Sequence, residues 1–326
     1  MTTMNLPPLV TVFGGSGFIG RHVVRALAER GYRVRVAVRR PDLAGFLLPA
    51  GYVGQIALMQ ANLRNRASID RAVEGSSHVI NCVGLLFETG ANTFDAVQDA
   101  GARSVAEAAK AAGAKLTHIS AIGADAKSPS AYGRSKAAAE AAIRSLLPDA
   151  VILRPSIVFG PEDGFFNKFA GMAKMLPFLP LIGGGKTKLQ PVYVMDVAET
   201  VARSVDGKIA PAKIYELGGS EVMTFRQCLE LVLKATDRRR PLISLPFGLA
   251  SCIGSVASLV PLIAPPITPD QVEMLKSDNV VSDSAKAEER TLAGIGIRAT
   301  VPASVVGDYL VHFKPHGQFT NSGKAA

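Results

Sequence analysis

The sequence predicts an α/β protein built on a doubly wound parallel sheet, joined to a smaller, interleaved C-terminal lobe. Two observations carry this expectation. Apolar strand-like runs alternate with amphipathic helical patterns through the first half of the chain, and repeated βα units make a parallel sheet covered on both faces. The first strand-to-helix junction is the glycine turn Gly14-Gly15-Ser16-Gly17-Phe18-Ile19-Gly20, an arrangement that aims a helix N-terminus at a phosphate.

Composition narrows the class. The 326 residues, 48% of them hydrophobic, suffice for a large core. Three scattered cysteines without C-x-x-C pairing and five unclustered histidines argue against a disulfide scaffold or a zinc site. The net charge of +9 comes from dispersed basic residues with few aromatics among them. That pattern argues against nucleic acid and for an anionic membrane surface or an acidic protein partner.

Taken in order, 9–13 reads as a buried strand and 18–30 as the helix after the glycine turn. Gly14 permits the reversal, Gly17 lets the backbone approach a pyrophosphate, and Gly20 lets the helix pack on the strand. The second strand, 33–38, ends in Arg39-Arg40. An acidic residue here suits a free ribose 2′-hydroxyl, whereas arginine suits a 2′-phosphate, so the expected cofactor is NADP(H) in preference to NAD(H). Strands near 56–60 and 78–83 bring Asn62-Leu63 to the adenine and Val83-Gly84 to the cofactor ribose. Helices near 66–74 and 93–112 flank them.

The next strand, 115–120, closes on Ser120, and Tyr132-Gly133-Arg134-Ser135-Lys136 opens a helix running near 135–147. Tyr132 and Lys136, one helical turn apart, share a face. The lysine charge favours the tyrosinate, so Tyr132 is the candidate proton carrier to a carbonyl or alcohol oxygen during hydride transfer, with Ser120 orienting that oxygen. A strand at 151–154 follows, and Ile214–Leu217 with Gly218-Gly219 reads as a strand returning to the sheet. The nucleotide-binding domain is thus expected over 1–160 with a return strand near 213–219, and the smaller lobe over 161–326.

Residues 241–269 carry no charge and follow Arg238-Arg239-Arg240. Pro246, Pro261, Pro265 and Pro266 divide the run into short helices, so it reads as an apolar surface segment resting on an anionic membrane or a partner, the alternative being that it completes the core of the smaller lobe.

Glycines at i, i+3 and i+6, the serine-ended strand and the Tyr132–Lys136 pair together resemble the short-chain dehydrogenase/reductase family, in its extended and atypical branches. The resemblance implies a Rossmann-type fold in which Lys136 also holds the nicotinamide ribose. It further implies that the stretch from Arg154 through Pro155, Ser156 and Ile157 to Pro161 lies beside the nicotinamide. Val192–Ala198 resembles a strand-to-helix junction of that family, with Asp196 as its N-cap.

Four stretches narrow the resemblance: Ala150–Ser156 through Phe159–Asp163, Phe166–Ala170, Gln190–Val197 and Ile267–Glu273. These resemble the NAD(P)H-binding accessory subunits of respiratory complex I and their bacterial counterparts, over most of the chain. The resemblance implies a tightly held, structural or regulatory NADPH, with complex I subunits as partners. Some relatives are linked to ubiquinone biosynthesis, which implies the alternative of an NADPH-dependent reductase or epimerase using Ser120, Tyr132 and Lys136. Because the first strand begins at Leu9, leaving no room for a secretory or transit peptide, the expected location is the bacterial cytoplasm, peripheral on the cytoplasmic face of the inner membrane.

Overall fold

The structure is a computed structural model that describes residues 6–258 and 267–315, without the side chains of 256–258. Residues 259–266, part of the apolar segment, lie outside the described residues. The chain begins β1 (Leu9–Phe13), α1 (Phe18–Glu29), β2 (Arg33–Val38), β3 (Ile56–Gln60), α2 (Arg66–Val73), β4 (His78–Asn81), α3 (Ala100–Ala111), β5 (Lys115–Ile119), α4 (Ala131–Leu146) and β6 (Val151–Pro155). It continues β7 (Val158–Phe159), α5 (Phe166–Met175), β8 (Leu179–Ile182), β9 (Lys188–Leu189), β10 (Val192–Tyr193), α6 (Val194–Val205), β11 (Ile214–Leu217), β12 (Met223–Thr224), α7 (Phe225–Ala235) and β13 (Leu242–Leu245). The last helices are α8 (Phe247–Ser258), α9 (Pro269–Met274), α10 (Asp283–Ala287) and α11 (Pro302–Tyr309).

Seven strands form one sheet in the order β11-β6-β5-β4-β1-β2-β3. β1 pairs in parallel with both β2 and β4, and the parallel pairing continues from β2 to β3, β4 to β5 and β5 to β6. The chain therefore reverses its direction of travel across the sheet at β1 and β4. A ligand crevice opens outside the carboxyl ends of strands at such a switch point. β11 joins the sheet beside β6, as the expectation of a returning strand requires.

The chain divides into two compact units. One comprises the chain through Pro155 with Met195–Glu216 and Ser284–Ile297; the other comprises Ser156–Val194, Leu217–Asp283 and the described residues from Arg298 on. In the first, Phe13 packs with the aliphatic Ile69, Val79, Val105, Leu116 and Ile143 in a core between the sheet and the helices on one face. The second is aromatic at its centre: Phe159, Phe166, Phe169 and Phe225 are buried together, with Phe165 edge-on to Phe169 at 5.2 Å.

Three local features differ from the sequence expectation. The helix expected over 93–112 opens as a π turn at Asp95–Asp99 before α3. α4 starts at Ala131 because the Ser130 hydroxyl caps it, accepting from the Gly133 N–H. Asp196 is the third residue of α6, not its cap, because that helix starts directly after β10 at Val194.

The apolar run holds one of the short helices expected of it, α8 after Pro246, but begins differently. Leu242–Leu245 forms β13, paired in parallel with β8. α8 buries Ala250, seats the Phe247 ring against Gly183, and exposes Leu249 and Ile253 at 54% and 44%. No described helix is long and apolar enough to cross a membrane.

Candidate nucleotide site

The glycine turn is built for close approach. Gly14 takes φ +73°, a left-handed conformation that favours glycine, and its N–H donates to the Ala37 carbonyl at 3.0 Å. The Gly17 N–H donates back to the Gly14 carbonyl at 2.9 Å, closing the turn, and Gly17 is the N-cap of α1 without a capping side chain. A methyl group at Gly20 would sit 2.2 Å from the Gly14 carbonyl oxygen, so nothing larger than glycine fits there. Arg21 steadies the loop by donating to the Ser16 carbonyl at 3.2 Å. The first-turn N–H groups of α1, beginning at Phe18 and Ile19, have no partner within the helix and carry the positive end of its dipole. A cradle this narrow, lined by backbone donors, fits a nucleotide pyrophosphate.

A cavity of about 240 Å³ lies over the turn. Of the residues expected from the sequence, Gly14, Ser16, Gly17, Arg39, Asn62, Leu63, Val83 and Gly84 line it. The sequence reading did not single out Phe13, Ala37, Val38, Ala61, Cys82, Leu85, Asn92 and Val97, which line it as well. Most are strand-end residues whose only signal is adjacency to a chosen position; Asn92 comes from a loop and carries none. Arg40 is not among the lining residues. It closes a two-pronged ion pair with Asp42, Nε to Oδ1 at 3.0 Å and Nη2 to Oδ2 at 2.7 Å. Cys82 is an inert lining group, its thiol pushed up to about 12 by burial.

Tyr132 and Lys136 occupy the first turns of α4, with the ammonium 5.8 Å from the centroid of the phenol ring and Phe94 edge-on to that ring at 6.0 Å. Lys136 is buried, and its Nζ donates to the Ile119 carbonyl at 3.0 Å. Burial lowers its pKa to about 8, with Glu140 and then Cys82 acting the other way. A methyl group at Gly84 would stand 3.4 Å from this ammonium, which brings the segment after β4 up to the lysine.

Ser120 has a different neighbour from the one its sequence position suggests. Its hydroxyl donates to the buried Glu140 carboxylate, which Arg154 grips at 2.9 and 2.6 Å. The spacing Tyr132-Lys136-Glu140 was readable as one helix face; the pairing with Arg154 on β6 was not. Pro155 ends β6 in the first unit. Ser156 and Ile157 belong to the second unit, where the Ser156 hydroxyl donates to Asn279 Oδ1 at 2.6 Å.

A model of the NAD-dependent epimerase/dehydratase family matches residues 10–218. The chain belongs to that family. Within it, the protein is 36% identical over 288 residues to NADH dehydrogenase (ubiquinone) 1 alpha subcomplex subunit 9, a mitochondrial protein of Arabidopsis thaliana, covering 85% of this chain and 72% of that one. A ceramide reductase from Caulobacter vibrioides is 35% identical over 190 residues, 58% of either chain. The NADPH-dependent quinone oxidoreductase of Escherichia coli, solved with NADPH, has the same fold: TM-score 0.70 at 20% identity, over 91% of this chain and 98% of that structure. This epimerase/dehydratase-family protein thus has the Rossmann-type architecture expected from its glycine turn, and its relatives include the respiratory subunits that its second half resembles.

Proposed function

We propose that this protein is an NADP(H)-binding accessory subunit, or assembly and stability factor, of respiratory NADH:ubiquinone oxidoreductase, with the nucleotide as a structural or regulatory ligand. The observation that carries this reading is the hydroxyl of Ser120: its one O–H is spent on Glu140, whereas the phosphate cradle and Arg39 share one cavity. The site is better equipped to hold a nucleotide than to turn it over. Similarity to a respiratory subunit over 85% of the chain supports the partner. A ligand bound only by the native state stabilises the fold by mass action, and Arg39 selects the 2′-phosphate. The protein sits peripherally on the cytoplasmic face of a bacterial inner membrane. The exposed Leu249 and Ile253 on α8, close in sequence to Arg238-Arg239-Arg240, support contact with anionic lipid or a membrane-bound partner.

The test is purification through a C-terminal tag from gently solubilised membranes, with mass spectrometry of the co-purifying chains and of released nucleotide. Recovery of the oxidoreductase's subunits with stoichiometric NADPH is expected; recovery of the protein alone overturns the reading.

A second reading, an NADPH-dependent reductase or epimerase, is favoured by the Tyr132–Lys136 pair and by the similarity to a ceramide reductase. In it, Tyr132 carries the proton, Lys136 lowers the phenol's pKa and Ser120 orients the carbonyl. Tyr132→Phe separates the two, because a reductase loses most of its turnover while an accessory subunit keeps both nucleotide and partner.

A further inference from the structure

We infer that Asn92 is a second selector of the nucleotide's 2′-phosphate, acting with Arg39, its neighbour in the cavity lining. The inference rests on the reading of this site as an NADP(H) site and adds a determinant to it.

Asn92 reaches the cavity on the loop that follows β4, and that loop is braced at several points. The Leu85 N–H donates to the buried Gln98 Oε1 at 3.1 Å, and the Phe94 N–H donates to Glu88 Oε1 at 2.7 Å. Thr89 and Asn92 exchange both backbone hydrogen bonds at 3.0 Å. Bonds of this kind fix the backbone that carries Asn92, which limits the entropy of ordering the loop on binding.

Arg39 Nη1 donates to Asn92 Oδ1 at 3.5 Å. This contact uses the acceptor of the carboxamide and leaves its NH₂ as a pair of donors beside the remaining guanidinium N–H groups. Two donor sets side by side suit a dianionic phosphate monoester. Among the residues lining the cavity, Arg39 is the one with a charged side chain, and no carboxylate is present to accept from a ribose diol. Arg40 is paired with Asp42 and is not among the lining residues. Asparagine is the residue type that positions Arg39 without neutralising it. An aspartate at 92 would take the guanidinium for itself and repel the phosphate.

The experiment measures dissociation constants for NADPH, NADH and 2′,5′-ADP by calorimetry, on protein freed of co-purified nucleotide. It compares the wild type with Arg39→Ala, Asn92→Ala and Asn92→Asp, with thermal unfolding of each as a folding control. Asn92→Asp should weaken NADPH and 2′,5′-ADP by about tenfold or more while NADH changes by less than about twofold, and Asn92→Ala should show a smaller loss with the same selectivity. If both Asn92 variants keep the wild-type NADPH-to-NADH ratio while Arg39→Ala loses it, the role of Asn92 is overturned and the NADP(H) site stands. Equal weakening of both dinucleotides in the Asn92 variants also overturns it, in favour of loop packing. A wild type without preference, or an unchanged ratio in Arg39→Ala, overturns the NADP(H) site and the inference together.

Discussion

Two neighbouring arginines that look interchangeable in the sequence part company in the fold. Arg39 lines the cavity and Arg40 turns to Asp42, a residue two positions on whose effect becomes visible only once the backbone path after β2 is known. Lys136 shows a different case, a position expected from spacing to share a helix face with Tyr132, whose electrostatics depend on burial. Its ammonium is brought from near 10.5 to about 8 because desolvation outweighs the attraction of Glu140. Between those two values the unfolded chain binds more protons at this position than the folded chain does. The contribution of this lysine to stability therefore rises with pH from about 8 to about 10.5. Urea unfolding at a series of pH values should show that rise flattened in Lys136→Met, and an undiminished rise in the variant would assign it to other groups.

At the level of elements, the glycine turn, the alternating strands and helices and the returning strand were all legible, because local periodicity and turn chemistry decide them. β13 departs from the helical expectation for a reason that is also local. Leu242–Leu245 is a short apolar run between Pro241 and Pro246, a strand signature, but its place inside a long uncharged stretch favoured a helical reading. Contacts between distant elements left no trace in the sequence. The clearest is the tie between α11 and the turn before α5: the Tyr309 hydroxyl donates to Asp163 Oδ2 at 2.6 Å. The same buried carboxylate accepts from the N–H groups of Gly160, Phe165 and Asn167. Burial raises the Asp163 pKa against the pull of these bonds, so losing the phenol leaves a carboxylate short of a strong donor. Tyr309→Phe should cost about 1–3 kcal/mol of unfolding free energy, measured by denaturant titration. Its nucleotide affinity should match that of the wild type, since neither residue lines the cavity. A variant as stable as the parent would show that the tie does not hold α11 in place.

Across the whole molecule, every residue lining the cavity belongs to the first of the two compact units. A ligand that binds only the native state slows the opening of the elements it touches, and segments that open independently of those elements keep their own exchange rates. Hydrogen exchange with and without NADPH should therefore show new protection at the β1–α1 turn, at the ends of β2 and β4 and in the loop carrying Asn92. The amides of α5, α7 and α11 should exchange as before. Protection spread evenly over both units would mean that the two open as one cooperative body and that nucleotide stabilises the chain globally, which would turn bound nucleotide into a requirement for the second unit's stability. The amides of 156–158 are an independent readout, because the sequence assigned that segment to the nicotinamide while the Ser156 hydroxyl is engaged by Asn279. Their protection by NADPH, with none from 2′,5′-ADP, would support that assignment, since 2′,5′-ADP carries the adenosine and its 2′-phosphate but no nicotinamide. Equal protection by both ligands, or by neither, would remove those residues from the nicotinamide's surroundings.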